Sequence, residues 1–128
     1  MKNMIERIVL SPYDQYELST FVTQDNVVYI GHIGGVTDEG GNLLSTTKEQ
    51  MEQTLKNLDE YLNEIDLCLK DVVKLTVIMK DIDDFRDMHE VWKEHFDEGK
   101  YPVRSVITSN FVNENIMVQV EGIACSDQ

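Results

Sequence analysis

Arg104 and Glu121 are the two charged residues in the least expected company. Val103-Arg104-Ser105-Val106-Ile107 is otherwise a branched, strand-forming run. Arg104 falls where a sheet residue should be apolar or lie on an edge strand. In Val118-Gln119-Val120-Glu121-Gly122-Ile123, period-two alternation puts Gln119 and Glu121 on one face with Met117 and Ile123. A guanidinium is a rigid donor fork suited to a carboxylate guest, and a carboxylate nearby can orient water and move protons. The two strands thus suggest a polar pocket on the sheet face. On periodicity alone, a structural ion pair or two solvated side chains is the favoured alternative.

The other reactive residue types are scattered. His32, His89 and His95 form no metal-ligand spacing; the last two, six apart on one predicted helix, fall on different faces. A metal site is therefore not expected, and His95, beside Phe96, reads as a surface residue. Phosphate-binding loops, nucleophile elbows and zinc-protease motifs are absent. Cys68 and Cys125 make no CxxC pair and read as inert, buried small hydrophobes in a reducing compartment, so a cytoplasmic location is expected. Acidic side chains number 24 against 11 basic ones, a formal net charge of -13. That field opposes phosphate backbones and anionic membrane surfaces, so neither nucleic acid nor membrane is an expected partner. No apolar run approaches the roughly 20 residues of a membrane-spanning helix.

Six strands and two helices must position these groups. Ile5–Leu10 reads as a strand broken by Ser11-Pro12-Tyr13-Asp14-Gln15. Tyr16–Val22 and Asn26–Ile33 read as a second and a third, joined by a hairpin turn at Asp25-Asn26. Thr46-Thr47-Lys48-Glu49 fits a capping box, and Met51, Leu55, Leu58, Leu62 and Ile65 then make one apolar stripe of a helix. Val72–Met79 reads as a largely buried strand. Asp81 caps a second helix over Ile82–Glu98, with Phe85, Met88, Trp92 and Phe96 on one face and a stop at Gly99 and Pro102. Val103–Thr108 and Ile116–Ala124 complete the set, followed by a short polar tail. Two amphipathic helices against one mixed sheet make a single two-layer α+β domain over residues 1–128. Helices on one face leave the other in need of cover, and oligomerisation supplies both cover and intersubunit clefts.

Five segments, in order and at similar spacing, carry a resemblance. Ser11-Pro12-Tyr13-Asp14-Gln15 is similar to GPYSQ, and Val28-Tyr29-Ile30-Gly31 to the strand before an active-site loop. Asp71-Val72-Val73-Lys74-Leu75-Thr76-Val77 is similar to DVVKTTV, Pro102-Val103-Arg104-Ser105 to PARS, and Val120-Glu121-Gly122-Ile123-Ala124 to IEAIA. Together they resemble the reactive intermediate deaminase (RidA, or YjgF) family over almost the whole chain. The resemblance implies a chorismate-mutase-like fold with two helices on one face of a mixed sheet, a homotrimer, and ligand clefts between subunits. It implies hydrolysis of 2-imino or 2-enamine acids to 2-keto acids and ammonia, with no metal or organic cofactor.

Carried over by position, Arg104 binds the carboxylate of a small anionic amino- or keto-acid-like ligand. Glu121 orients the attacking water and moves protons. Tyr13 helps close the cleft and bonds the ligand, Gly31 lets the backbone approach it, and Val106 contributes only its backbone. Tyr13 as a half-buried loop tyrosine and Gly31 as a strand-end glycine remain open alternatives. Two departures alter the cleft lining: Ile30-Gly31-His32 stands where the family often has Ser-Gly-Gln, and His89 stands where many members have Asn. They motivate an alternative, a non-catalytic binding module for small keto or amino acids on the same scaffold. Ribonuclease or translation inhibition, names also attached to the family, conflicts with the net charge of -13. A chorismate mutase role would rest on fold alone, which does not specify function.

Overall fold

The computed structural model describes residues 4–126; the end of the polar tail, residues 127–128, lies outside them. Six strands form one mixed sheet: β1 (Ile5–Ile8), β2 (Phe21–Gln24), β3 (Val27–Gly34), β4 (Val72–Met79), β5 (Val103–Thr108) and β6 (Val118–Cys125). Their spatial order is β1-β2-β3-β6-β4-β5, antiparallel throughout except for the parallel β4–β5 pair. A parallel pair needs a crossover, and helix α2 (Phe85–His95) supplies it. Helix α1 (Thr47–Asn63) joins β3 to β4.

The stripe predicted for α1 is what the helix buries. Met51, Leu55, Leu58 and Leu62 are fully inaccessible, each contributing about 1.5–3 kcal/mol of apolar burial. They pack with Val28, Ile30, Leu75, Val77, Met79, Val118 and Val120 from one face of the sheet and with Met88, Val91 and Trp92 from α2. Thr46 caps α1 by accepting from the Glu49 N–H at 3.1 Å. The reciprocal half of the box differs: the Glu49 carboxylate accepts from the Thr46 hydroxyl, at 3.0 Å. Between the helices, Thr47 Oγ1 donates to the Asp84 carboxylate at 2.8 Å, and Lys48 lies 3.4 Å from Glu90. Inside, the buried Gln50 amide donates to the Leu44 and Asn115 carbonyls and accepts from the Met117 N–H. One side chain thereby pins the loops before α1 and before β6.

Four expectations need correction. The strand expected over Tyr16–Val22 starts only at Phe21; Tyr13–Tyr16 is a 3-10 turn, and Glu17, at φ 59°, turns the chain out of extended geometry. The second helix is shorter than Ile82–Glu98 at both ends: Ile82–Asp84 forms a 3-10 turn capped by Asp81 before α2 begins, and α2 stops at His95, ahead of Gly99 and Pro102, because Phe96 is already extended at φ -125°. Cys125 is exposed and Cys68 only partly buried, since β6 ends on the uncovered side and Cys68 precedes a surface turn. His95 is half-buried: its Nδ1 lies 2.9 Å from the Val91 carbonyl and its Nε2 3.0 Å from the Glu52 carboxylate on α1. The Asp25-Asn26 turn is as read, with Asp25 at φ 54°. No helix among the described residues is long and apolar enough to cross a membrane.

Candidate functional site

Register decides which side chains meet. β4 lies between β5 and β6, with Leu75 beside Arg104 and Gly122, and Thr76 beside Ser105 and Glu121. Neighbouring residues in register point to the same face, and successive residues to opposite faces. Arg104 therefore shares the helix-covered face with the buried Leu75, whereas Glu121 shares the uncovered face with Thr76. Within one chain the two groups do not converge, and the pocket expected from them on a single sheet face is not formed by one copy. Alternation had fixed each residue relative to its own strand, but not the two strands relative to each other.

Arg104 sits on edge strand β5 against α2. Its guanidinium carbon lies 4.9 Å from the Trp92 ring centre and 5.3 Å from that of Phe85, so the cation rests on two aromatic faces. One N–H group lies 3.0 Å from His89 Nδ1, and the His89 ring stacks on Phe85 at 5.6 Å and 10°. Desolvation, then the Arg104 and Lys93 charges, hold the His89 pKa below the usual histidine value. Nδ1 is accordingly an unprotonated acceptor and the guanidinium the donor. Burial lowers the Arg104 pKa too, but a guanidinium stays charged at neutral pH. Arg104 makes no ion pair among the described residues. Val106 follows it on the same face, partly buried against the core.

A second group gathers around Glu121. The β3–β6 register runs Ile30 to Gly122 and then Ile33 to Val120, so Gly31 and His32 form a bulge opposite Glu121 alone. The Tyr13 hydroxyl donates to the His32 carbonyl at 2.9 Å, and the Tyr13 ring meets Tyr61 of α1 edge-on at 5.7 Å. Burial, then Tyr61, raises the Tyr13 pKa well above its usual value, so the hydroxyl remains a donor. The Gly31 N–H donates to the Thr20 carbonyl, and a Cβ on Gly31 would crowd the Ser19 and Thr20 carbonyls at 3.3 Å. Its small size thus suits the close approach of the preceding segment's backbone. The His32 side chain is exposed, and it is the carbonyl of this residue that Tyr13 engages. No group of three or more potential metal-ligating side chains occurs among the described residues.

Neither of two surface clefts holds Arg104 or Glu121. One, about 260 Å³, lies beside Tyr13, Asn57, Tyr61 and Gln119; the other, about 460 Å³, lies between the helices at Asp59, Cys68 and His95. Sequence reasoning flagged His89 as a departure but did not identify Phe85 and Trp92 as the seat of Arg104. They lie two turns apart, and the sequence marks them only as members of one helix face.

Residues 8–126 match the family described as Endoribonuclease L-PSP, and the chain belongs to that family. It is similar to a RutC family protein of Pyrococcus abyssi, at 30% identity over 90% of this chain and 87% of that one. It is 31% identical to the 2-iminobutanoate/2-iminopropanoate deaminase of Mus musculus, over 90% of this chain and 82% of that one. The fold is shared with a YjgF family member from Neisseria meningitidis, at a TM-score of 0.84 and 17% identity, over 100% of this chain and 99% of that one.

Proposed function

We propose that this chain hydrolyses small 2-imino and 2-enamine acids to 2-keto acids and ammonia, in clefts between the copies of a cytoplasmic homotrimer. The observation that carries the reading is Arg104. In a chain with 24 acidic side chains, this half-buried guanidinium has no carboxylate partner among the described residues and only a neutral ring as acceptor. Its remaining donors suit the carboxylate of an anionic guest. Relatives named as 2-iminobutanoate/2-iminopropanoate deaminases, in mouse and human, favour an imino acid as that guest.

The opposite placement of Arg104 and Glu121 supports the shared cleft, because a second copy is needed to bring a Glu121 to an Arg104. The uncovered sheet face supports the assembly: Tyr29, Val103 and Ile107 are 46%, 67% and 50% exposed there, an apolar surface that association would cover. In the cleft, Arg104 holds the carboxylate, with Val106 lending backbone groups from an edge strand whose outer side is unpaired among the described strands. Glu121 accepts a proton from water as it adds to the C=N carbon, forming a carbinolamine. It returns that proton to nitrogen to complete the carbinolamine, then carries the carbinolamine hydroxyl proton to the same nitrogen, so that the C=O forms as the C–N bond breaks and ammonia leaves. Tyr13, bound to the His32 carbonyl, holds the Gly31–His32 bulge against this centre.

The test generates 2-iminobutanoate with an amino-acid oxidase and follows its decay. Acceleration over buffer, lost in Arg104→Ala and in Glu121→Gln, is the expected result. Decay no faster than in buffer, with 2-oxobutanoate still bound through Arg104, would leave the non-catalytic binding module, which the altered Ile30-Gly31-His32 segment favours.

A further inference from the structure

The Arg104 guanidinium is held by three side chains, all on α2 and none of them acidic. Trp92 and Phe85 offer ring faces at 4.9 and 5.3 Å, and His89 offers the one hydrogen-bond acceptor, Nδ1, at 3.0 Å. Rings fix the plane of a guanidinium but not its rotation within that plane; a hydrogen bond fixes the rotation. We propose that His89 is the positioning residue for Arg104, its unprotonated Nδ1 locking the guanidinium fork, and that protonation of the ring releases the fork and weakens carboxylate capture in acid. The second half rests on the carboxylate-binding reading of Arg104; the lock itself does not.

The chemistry runs one way. An imidazolium has no acceptor, so the 3.0 Å contact with Arg104 becomes one of donor against donor and cation against cation. Two cations oppose that state, Arg104 from β5 and Lys93 from the next turn of α2, and Arg86 lies three residues earlier on the same helix; the acidic neighbours Asp87 and Glu90, two residues before and one after, are not among the groups that shift the ring. No acidic side chain is hydrogen-bonded to the ring among the described residues. The neutral ring is therefore the resting form near pH 7. The lock is lost only as pH falls through the ring's own midpoint, which lies below the ordinary histidine value.

Two readouts test this. Proton NMR of the His89 ring is expected to give a titration midpoint below that of an ordinary histidine, and Arg104→Gln is expected to move it upward by removing the cation. A midpoint unchanged by Arg104→Gln would show that the two groups are not coupled, and would overturn the lock. Calorimetry with 2-oxobutanoate between about pH 5 and 8 tests its consequence. For the wild type, Kd is expected to rise in acid, approaching about tenfold per pH unit below the midpoint. His89→Asn keeps a side-chain acceptor that does not titrate, and its Kd is expected to stay flat over the same range. His89→Phe keeps the ring on Phe85 without an acceptor, and is expected to bind weakly at every pH. An acid rise in His89→Asn equal to the wild type, or wild-type affinity in His89→Phe, would overturn the proposal. If 2-oxobutanoate fails to bind the wild type at any pH, the carboxylate reading of Arg104 falls, and the NMR shift still decides the lock.

Discussion

Arg104 presents a fork of N–H donors and uses one of them on His89. Lysine at this position would keep the charge but lose the planar fork that lies on Trp92 and Phe85. Arg104→Lys should therefore raise KM for the imino acid by about ten- to a hundredfold, the equivalent of about 1.5–3 kcal/mol for one charge-assisted bond. Steady-state kinetics on enzymatically generated 2-iminobutanoate measures it, and an unchanged KM would remove Arg104 from the substrate. Tyr13 belongs to the same scale. Its pKa is raised by burial and by Tyr61, so its neutral form persists through the accessible alkaline range. Tyr13→Phe should leave the pH dependence of kcat unaltered while lowering its plateau. The sequence made Arg104, Glu121, Tyr13 and Gly31 legible as candidates because their types break the apolar pattern or repeat a motif. It did not reveal that Arg104 and Glu121 face opposite ways. That fact comes from register across β4, a strand that follows neither β5 nor β6 in the chain.

The elements were legible where a period is long and its ends are marked. Helix α1 has a cap, a stripe and 17 residues; the Thr46 cap marks its start, while the stripe runs on to Ile65, past its end at Asn63. The segment before β2 misled because Tyr16, Leu18 and Phe21 look like strand residues, although Tyr16 and Leu18 are exposed and only Phe21 is buried. The bulges were invisible for a similar reason, since each is a relation between two strands. One faces Glu121 from β3. A second interrupts β4, where pairing passes from Val72 with Ala124 to Lys74 with Ile123 and leaves Val73 unpaired. There the Lys74 carbonyl presses against Gly122, where a Cβ would collide with backbone. Gly122→Ala should therefore destabilise the fold by about 1–3 kcal/mol, the usual cost of overpacking. Urea denaturation reads this directly, and because Gly122 adjoins Glu121, loss of activity should accompany it. Unaltered stability would mean that β4 slides to a regular register without penalty.

For the whole molecule, the two halves of the proposed site lie on opposite sides of one sheet, Arg104 with Val106 and His89, Glu121 with Tyr13 and the Gly31–His32 bulge. A single chain carries one of each half and completes neither. In the proposed cyclic trimer each copy would lend its guanidinium to one neighbour and its carboxylate to the other. Such an arrangement makes a quantitative prediction. Arg104→Ala and Glu121→Gln, each inactive alone, are unfolded together in equal amounts and refolded. In a trimer holding both variants, one cleft receives an intact guanidinium from one copy and an intact carboxylate from the next, while the other two clefts lack at least one group. Random mixing makes three-quarters of the trimers mixed, so about a quarter of wild-type activity should return. A site built wholly within one chain would give none, because every chain in the mixture is defective. Sedimentation of the refolded mixture checks that trimers have formed, so that silence can be assigned to the chemistry and not to failed assembly. Activity that stays at zero in well-formed mixed trimers would return Arg104 and Glu121 to separate roles and leave the uncovered sheet face as a surface for assembly alone.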